Sequence, residues 1–248
     1  MDPDPALTHL YSCSRWADAD PAKVIAEYIR IGEETCRELR LITHIEDLAY
    51  EDDEYRGKDS RNMVDIWGEV KDHLVIFIHG GFWQEGSRKL VSPVAVNLVK
   101  SGVAMAAVGY ELASSTWPLS SIVRQVGKAV EFLLTNYPTV TYITLAGHSA
   151  AYTHLRSPRI QKLALLAGVF DLQELPACEI GKIIGLTREE AELNSCSAFE
   201  LVDTEVKVLL LIPMKELREC DHFSLIHEFR NSEAEQVRTF LSFLCYEA

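Results

Sequence analysis

The sequence predicts an α/β fold in which helices cover both faces of a mostly parallel central sheet. Two observations carry that expectation. Short continuous apolar runs recur along the chain: LVIFI (74–78), VAMAAVG (103–109), YITLAG (142–147), KLALLAG (162–168) and VKVLLLI (206–212). Stretches with apolar residues at helical spacing separate several of them, and strands that alternate with helices pair in parallel and are buried on both sides. No internal repeat, low-complexity tract or long linker divides the 248 residues, so 1–248 is read as one domain.

The elements follow in order. Val24, Ile25, Tyr28 and Ile29 give 21–39 an amphipathic helical pattern within an N-terminal helical extension (1–45). Residues 46–50 and 62–67 flank the polar EDDEYRGKDSR stretch and read as two antiparallel strands. From Leu74 the strand–helix rhythm begins, with helices expected up to Lys100, over 120–134 and, last, over 225–244. Residues 171–201, with Gly, Pro and short helical signals, interrupt that rhythm. They are expected to form a cap-like excursion near the C-terminal edge of the sheet, where ligands bind in such folds.

Composition excludes several roles. Lys plus Arg number 24 against 37 Asp plus Glu, a net charge of −13, which argues against nucleic-acid or anionic-membrane partners. No apolar run approaches membrane length, and MDPDPALTHL is acidic and proline-punctuated, unlike a secretory signal. Six dispersed cysteines without a CxxC pair fit a reduced compartment, hence a cytoplasmic protein. The eight histidines lack metal-ligand spacing, so no metal is expected.

Two strings carry chemistry. Gly147-His148-Ser149-Ala150-Ala151 follows a predicted strand, the pattern of a sharp strand-to-helix turn that lifts a serine hydroxyl above the sheet. Small residues two positions either side relieve crowding, and the Ala150 N–H falls where a developing oxyanion would sit. Upstream, His79-Gly80-Gly81-Phe82-Trp83 follows LVIFI directly. Its glycines let the backbone turn with N–H groups exposed, the other half of an oxyanion hole. An ordinary glycine turn and an ordinary serine turn are the bland alternatives; both motifs in this order favour the catalytic one.

A serine hydroxyl needs an imidazole to take its proton. His222, in Cys220-Asp221-His222-Phe223 just before the closing helix, fits that role. His227 falls inside the helix and reads as a packing or surface residue. His79 shapes its loop, and His148 adjoins the serine without an assigned function.

Together these strings resemble the kynurenine formamidase (arylformamidase) family of α/β-hydrolases. HGGFWQEGS is similar to its oxyanion-loop signature, AGHSA to its serine elbow, GVFDL (168–172) to the segment after the next strand, LTREEAELNS (186–195) to a cap-region helix and DHF (221–223) to its histidine loop. The resemblance implies hydrolysis of N-formyl-L-kynurenine, an aryl formamide, to L-kynurenine and formate without a cofactor, in the cytosol or nucleus, by a homodimer. It makes Ser149 the nucleophile, His222 the base, Gly80 and Gly81 part of the oxyanion loop, and puts Phe82 and Trp83 beside the pocket. Those two, with Tyr110 or Trp117, form either an aryl-binding wall or core.

The chain departs from the family pattern twice, so the expected fold is locally truncated. Only seven residues, 150–156, precede Ser157-Pro158, too few for a helix that must retrace a strand. Only nine, 213–221, separate VKVLLLI from His222, fewer than a parallel crossover needs. The loop that would bear the catalytic Asp is expected to be missing; Asp203, Glu216, Glu219 and Asp221 are the substitutes weighed. Impaired activity, a catalytically inactive hydrolase-fold protein and a general carboxylesterase are the competing expectations.

Overall fold

The computed structural model describes residues 2–15, 19–51, 61–90, 93–149, 157–195, 206–211 and 222–245. The order is α1 (Pro5–Tyr11), α2 (Pro21–Leu39), β1 (His44–Ala49), β2 (Met63–Trp67), β3 (His73–Ile78), α3 (Val94–Lys100), β4 (Ala104–Val108), α4 (Leu119–Asn136), β5 (Tyr142–His148), β6 (Ile160–Leu166), α5 (Glu179–Ile183), α6 (Arg188–Asn194), β7 (Lys207–Leu211), α7 (Ser224–His227) and α8 (Glu235–Cys245). Both length departures fall on residues outside the described ones, as do Ala150, Asp203, Glu216, Glu219 and Asp221.

Seven strands form one sheet in the order β1-β2-β4-β3-β5-β6-β7. β1 and β2 are antiparallel to each other, β2 is antiparallel to β4, and the remaining pairs are parallel. The expected antiparallel entry into a parallel sheet is therefore found, and the fold is that of the α/β-hydrolases.

Alternation along each strand divides the core in two. Leu74, Ile76 and Ile78 of β3 face one layer with Val64, Ile66, Ala106, Ile143 and Leu145; α4 covers it with Leu119, Ile122, Val126, Ala129 and Leu133. Those α4 positions repeat at helical spacing, so one stripe of the helix is buried along its length. Val75 and Phe77 face the other layer, which α2, α3 and α8 cover with Cys36, Leu39, Val94, Leu98, Val237 and Phe240.

Local chemistry sets several boundaries. α1 and α2 each begin at an aspartate cap followed by proline: Asp4 accepts from the Ala6 and Leu7 N–H groups, and Asp20 from those of Ala22 and Lys23. The single closing helix expected over 225–244 is instead two pieces, α7 and α8, with a 3-10 turn at Glu228–Arg230. Asn231 causes the break: its side chain accepts from the Glu233 N–H at 3.0 Å while its own N–H donates to the Glu228 carbonyl at 2.8 Å.

Residues 171–195 carry α5 and α6 and dock against the N-terminal segment. The Asp4 N–H donates to the Ala177 carbonyl at 2.8 Å, Thr8 Oγ1 accepts from the Glu179 N–H at 3.0 Å, and the Tyr11 hydroxyl donates to Glu174 at 3.0 Å. Ser195 ties the excursion down, accepting from the Leu172 N–H and donating to the Ala191 carbonyl.

Candidate active site

The site lies at the C-terminal ends of β3 and β5, which pair in parallel with Ile78 opposite Gly147. One residue past β5, Ser149 takes a φ of 58° and is almost fully buried. Left-handed backbone is uncommon for a residue with a β-carbon and costs about 1 kcal/mol or more, so the surroundings must impose it. They do: the Ser149 N–H donates to the Leu166 carbonyl at 2.9 Å, and its carbonyl accepts from the Val169 N–H at 3.2 Å. The neighbouring strand thus grips the turn from both sides.

The glycine loop after β3 packs directly on this turn. A β-carbon on Gly80 would meet Ser149 Cβ at 2.7 Å and the His148 carbonyl at 2.8 Å, so only glycine fits without displacement. Gly81 has φ 110°, and a β-carbon there would lie 2.4 Å from the Glu85 carbonyl. Its own carbonyl accepts from the Gln84 and Glu85 N–H groups, closing a tight turn through Phe82 and Trp83, both left-handed at φ 46° and 57°.

His79 orients the loop. Its Nδ1–H donates to the Gly80 carbonyl at 2.9 Å. In a planar trans peptide the following N–H points the opposite way, and among the described residues the Gly81 N–H meets no acceptor. The Tyr110 hydroxyl donates to the His79 carbonyl at 2.7 Å, and the two rings stack at 4.2 Å. Burial lowers the His79 pKa to about 4, which keeps the ring neutral.

Further along, a buried charge cluster anchors the loop to β1 and β2. Asp65 is fully buried and pairs with Arg88 Nε at 3.2 Å and Lys89 Nζ at 3.0 Å. It also accepts from the Asp47 N–H at 2.8 Å, which a bulge in β1 at φ 62° aims inward.

The turn before α7 brings His222 to His148, the residue that precedes Ser149. The His222 ring centroid lies 4.8 Å from that of His148, tilted 37°. Tyr28 of α2 lies 6.2 Å from His148, 5.8 Å from Phe223 and 5.9 Å from His227, so α2 closes this side. His227, expected to be a packing or surface residue, stacks on Tyr28. Burial raises the Tyr28 pKa to about 12, with a smaller push from the Glu85 charge. Among the described residues no cluster of three or more His, Cys, Asp or Glu side chains could hold a metal.

The structure therefore groups Ser149, Gly80, Gly81, His79 and His148 at the ends of β3 and β5, and sets His222, from a third part of the chain, beside His148. Phe82, Trp83 and Tyr110 are buried in the α4-side core rather than standing free. Trp117 is displaced from the group: it is half-exposed and lines a different cavity of about 670 Å³ with Tyr50, Arg124 and Lys128. Sequence reasoning gave His148 and Tyr28 no part in the site. Adjacency to the serine was the one available signal for His148, and Tyr28 had none beyond its place in a helical pattern.

No family model matches the chain. Among solved structures it is similar to a candidate thioesterase from Silicibacter sp., at TM-score 0.74 and 18% identity over 94% of this chain and 97% of that one. It is also similar to esterase B from Lactobacillus rhamnosis, at TM-score 0.62 and 15% identity over 90% and 92%. Both support the fold. Among curated proteins it is 30% identical over 208 residues to kynurenine formamidase of Danio rerio, covering 76% of this chain and 68% of that protein. The Salmo salar protein of the same name is 32% identical over 50% of this chain and 46% of its own length, and the Drosophila melanogaster one 27% identical over 74% and 66%. On that identity and coverage, together with the hydrolase fold, the chain belongs to the kynurenine formamidase family.

Proposed function

We propose that the protein hydrolyses N-formyl-L-kynurenine to L-kynurenine and formate, with Ser149 as nucleophile and His222 as general base. The observation that carries this reading is the contact of Gly80 with Ser149, which holds a glycine loop against a left-handed serine at the end of β5. Three relatives carrying the kynurenine formamidase name support the substrate. In the mechanism, Ser149 Oγ attacks the formyl carbon while His222 takes its proton. The Gly81 and Ala150 N–H groups hold the negative charge that develops on the formyl oxygen. His222 then returns the proton to the aniline nitrogen, the C–N bond breaks, and water attacks the formyl-serine with the same base to release formate. No step needs a metal or an organic cofactor.

Free Cys13, Cys36 and Cys178 support placing this chemistry in the cytosol, where thiols stay reduced. No helix among the described residues is long and apolar enough to cross a membrane. The test is formate release from N-formylkynurenine by the full chain beside Ser149→Ala. Release by the wild type that disappears in the variant supports the reading; equal background in both defeats it.

A further inference from the structure

His148 is the least satisfied polar side chain around the elbow. It is 3% exposed, and among the described residues neither ring nitrogen has a hydrogen-bond partner. Burying a polar group unpaired costs about 1–3 kcal/mol, so one kept beside a reactive turn calls for an explanation. Its surroundings supply one. His222 faces the ring at 4.8 Å between centroids, Tyr28 closes a second side at 6.2 Å, and Nδ1 sits over Gly80, where a β-carbon would come within 3.2 Å. Being the last residue of β5, His148 is held by the same strand that carries Ser149.

We propose that His148 is a positioning residue: its neutral ring accepts the hydrogen of the His222 nitrogen turned away from Ser149, and so sets the tautomer and orientation of the base. The proposal rests on the reading of Ser149 and His222 given above. The chemistry is restrictive. An imidazole can take the serine proton only at an unprotonated nitrogen, so its other nitrogen must carry the hydrogen. A neutral histidine offers one acceptor nitrogen, enough to hold that hydrogen. Contacts of this kind are commonly long before substrate binds and shorten in the reacting complex. The Ser149 proton still travels only to His222 and on to the leaving amine; His148 gains and loses none.

The charged and titratable groups around His148 favour its neutral form. Burial pushes its pKa well below the usual value, and the charge of His222 pushes the same way, followed by smaller contributions from His227 and His79. The His222 backbone, near but not in hydrogen-bonding geometry, opposes them in part. Tyr28 on α2 is uncharged at neutral pH.

The test is nitrogen-15 NMR of the histidine rings in the full chain, with the rate of Ser149 labelling by a fluorophosphonate, for wild type, His148→Leu and His148→Gln. His222 should be a single tautomer in the wild type and a mixture in His148→Leu. Labelling should fall by about 100-fold in that variant, the lower end of what general-base assistance supplies. His148→Gln, whose amide oxygen can accept the same hydrogen, should restore both. Mixed tautomers at His222 in the wild type would overturn the proposal without any variant, which covers the case of His148→Leu failing to fold. A single tautomer kept in His148→Leu, with labelling within twofold of wild type, would overturn it too. Formate release is read alongside. Its absence from a wild type whose His222 tautomer depends on His148 defeats the formamidase reading and leaves the positioning role standing.

Discussion

Gly80 packs directly on Ser149: a β-carbon on Gly80 would lie only 2.7 Å from Ser149 Cβ. The glycine loop and the serine turn therefore position each other. Gly80→Ala must move one of them. It should lower fluorophosphonate labelling of Ser149 by about 100-fold or more, as loss of an oxyanion donor does. It should also destabilise the fold by about 1–3 kcal/mol through overpacking, read from urea unfolding.

Ser149 holds a left-handed φ of 58° that glycine adopts without strain. Ser149→Gly and Ser149→Ala should both abolish labelling. They should differ in stability, with the glycine variant about 1 kcal/mol more stable than the alanine one. Equal melting temperatures would mean that the turn stores no strain.

Asp65 is fully buried, and the Arg88 side chain beside it is 10% exposed. Asp65→Ala leaves that guanidinium without its buried partner and should cost about 3–5 kcal/mol in urea unfolding. Lys89→Ala, at a side chain 31% exposed, should cost about 1 kcal/mol or less.

Acid should weaken the fold in two stages. Burial holds the His79 and His73 pKa values at about 4 and that of His148 well below normal, so the folded state carries fewer protons than the unfolded state below about pH 6.5. Their contribution is complete above that pH and is lost as pH falls towards 4, worth about 3 kcal/mol for His79. Glu46 runs in a lower window. Arg40 first, and Lys89 as well, hold its pKa at about 2, so its contribution is present above about 4.5 and lost towards 2. Urea midpoints measured against pH should show both slopes, and His79→Asn should flatten the first.

The fold was legible because its signals are local. Apolar runs at 74–78, 142–147 and 162–168 became β3, β5 and β6 to within two residues, and the helical stripe near 120–134 became α4. The closing helix was misread as continuous because apolar periodicity continues past Asn231, whose side-chain turn breaks it. Membership of the family was equally readable, since HGG and GHSA come in that order, each directly after an apolar run.

By itself, the sequence determined the strand order of chemistry: a glycine loop, then a serine, then a histidine, each at the end or start of an element whose periodicity names it. Tertiary structure alone decided what those residues touch. His148 was an unassigned neighbour in the string and became a buried ring against His222, without a hydrogen-bond partner among the described residues. Tyr28 came from an N-terminal helix to close the same group, while Trp117 went to another face. The physical reason is that periodicity reports which side of an element is buried, whereas the partner buried against it is set by the packing of elements distant in the chain, here α2 and the turn before α7 meeting at the end of β5.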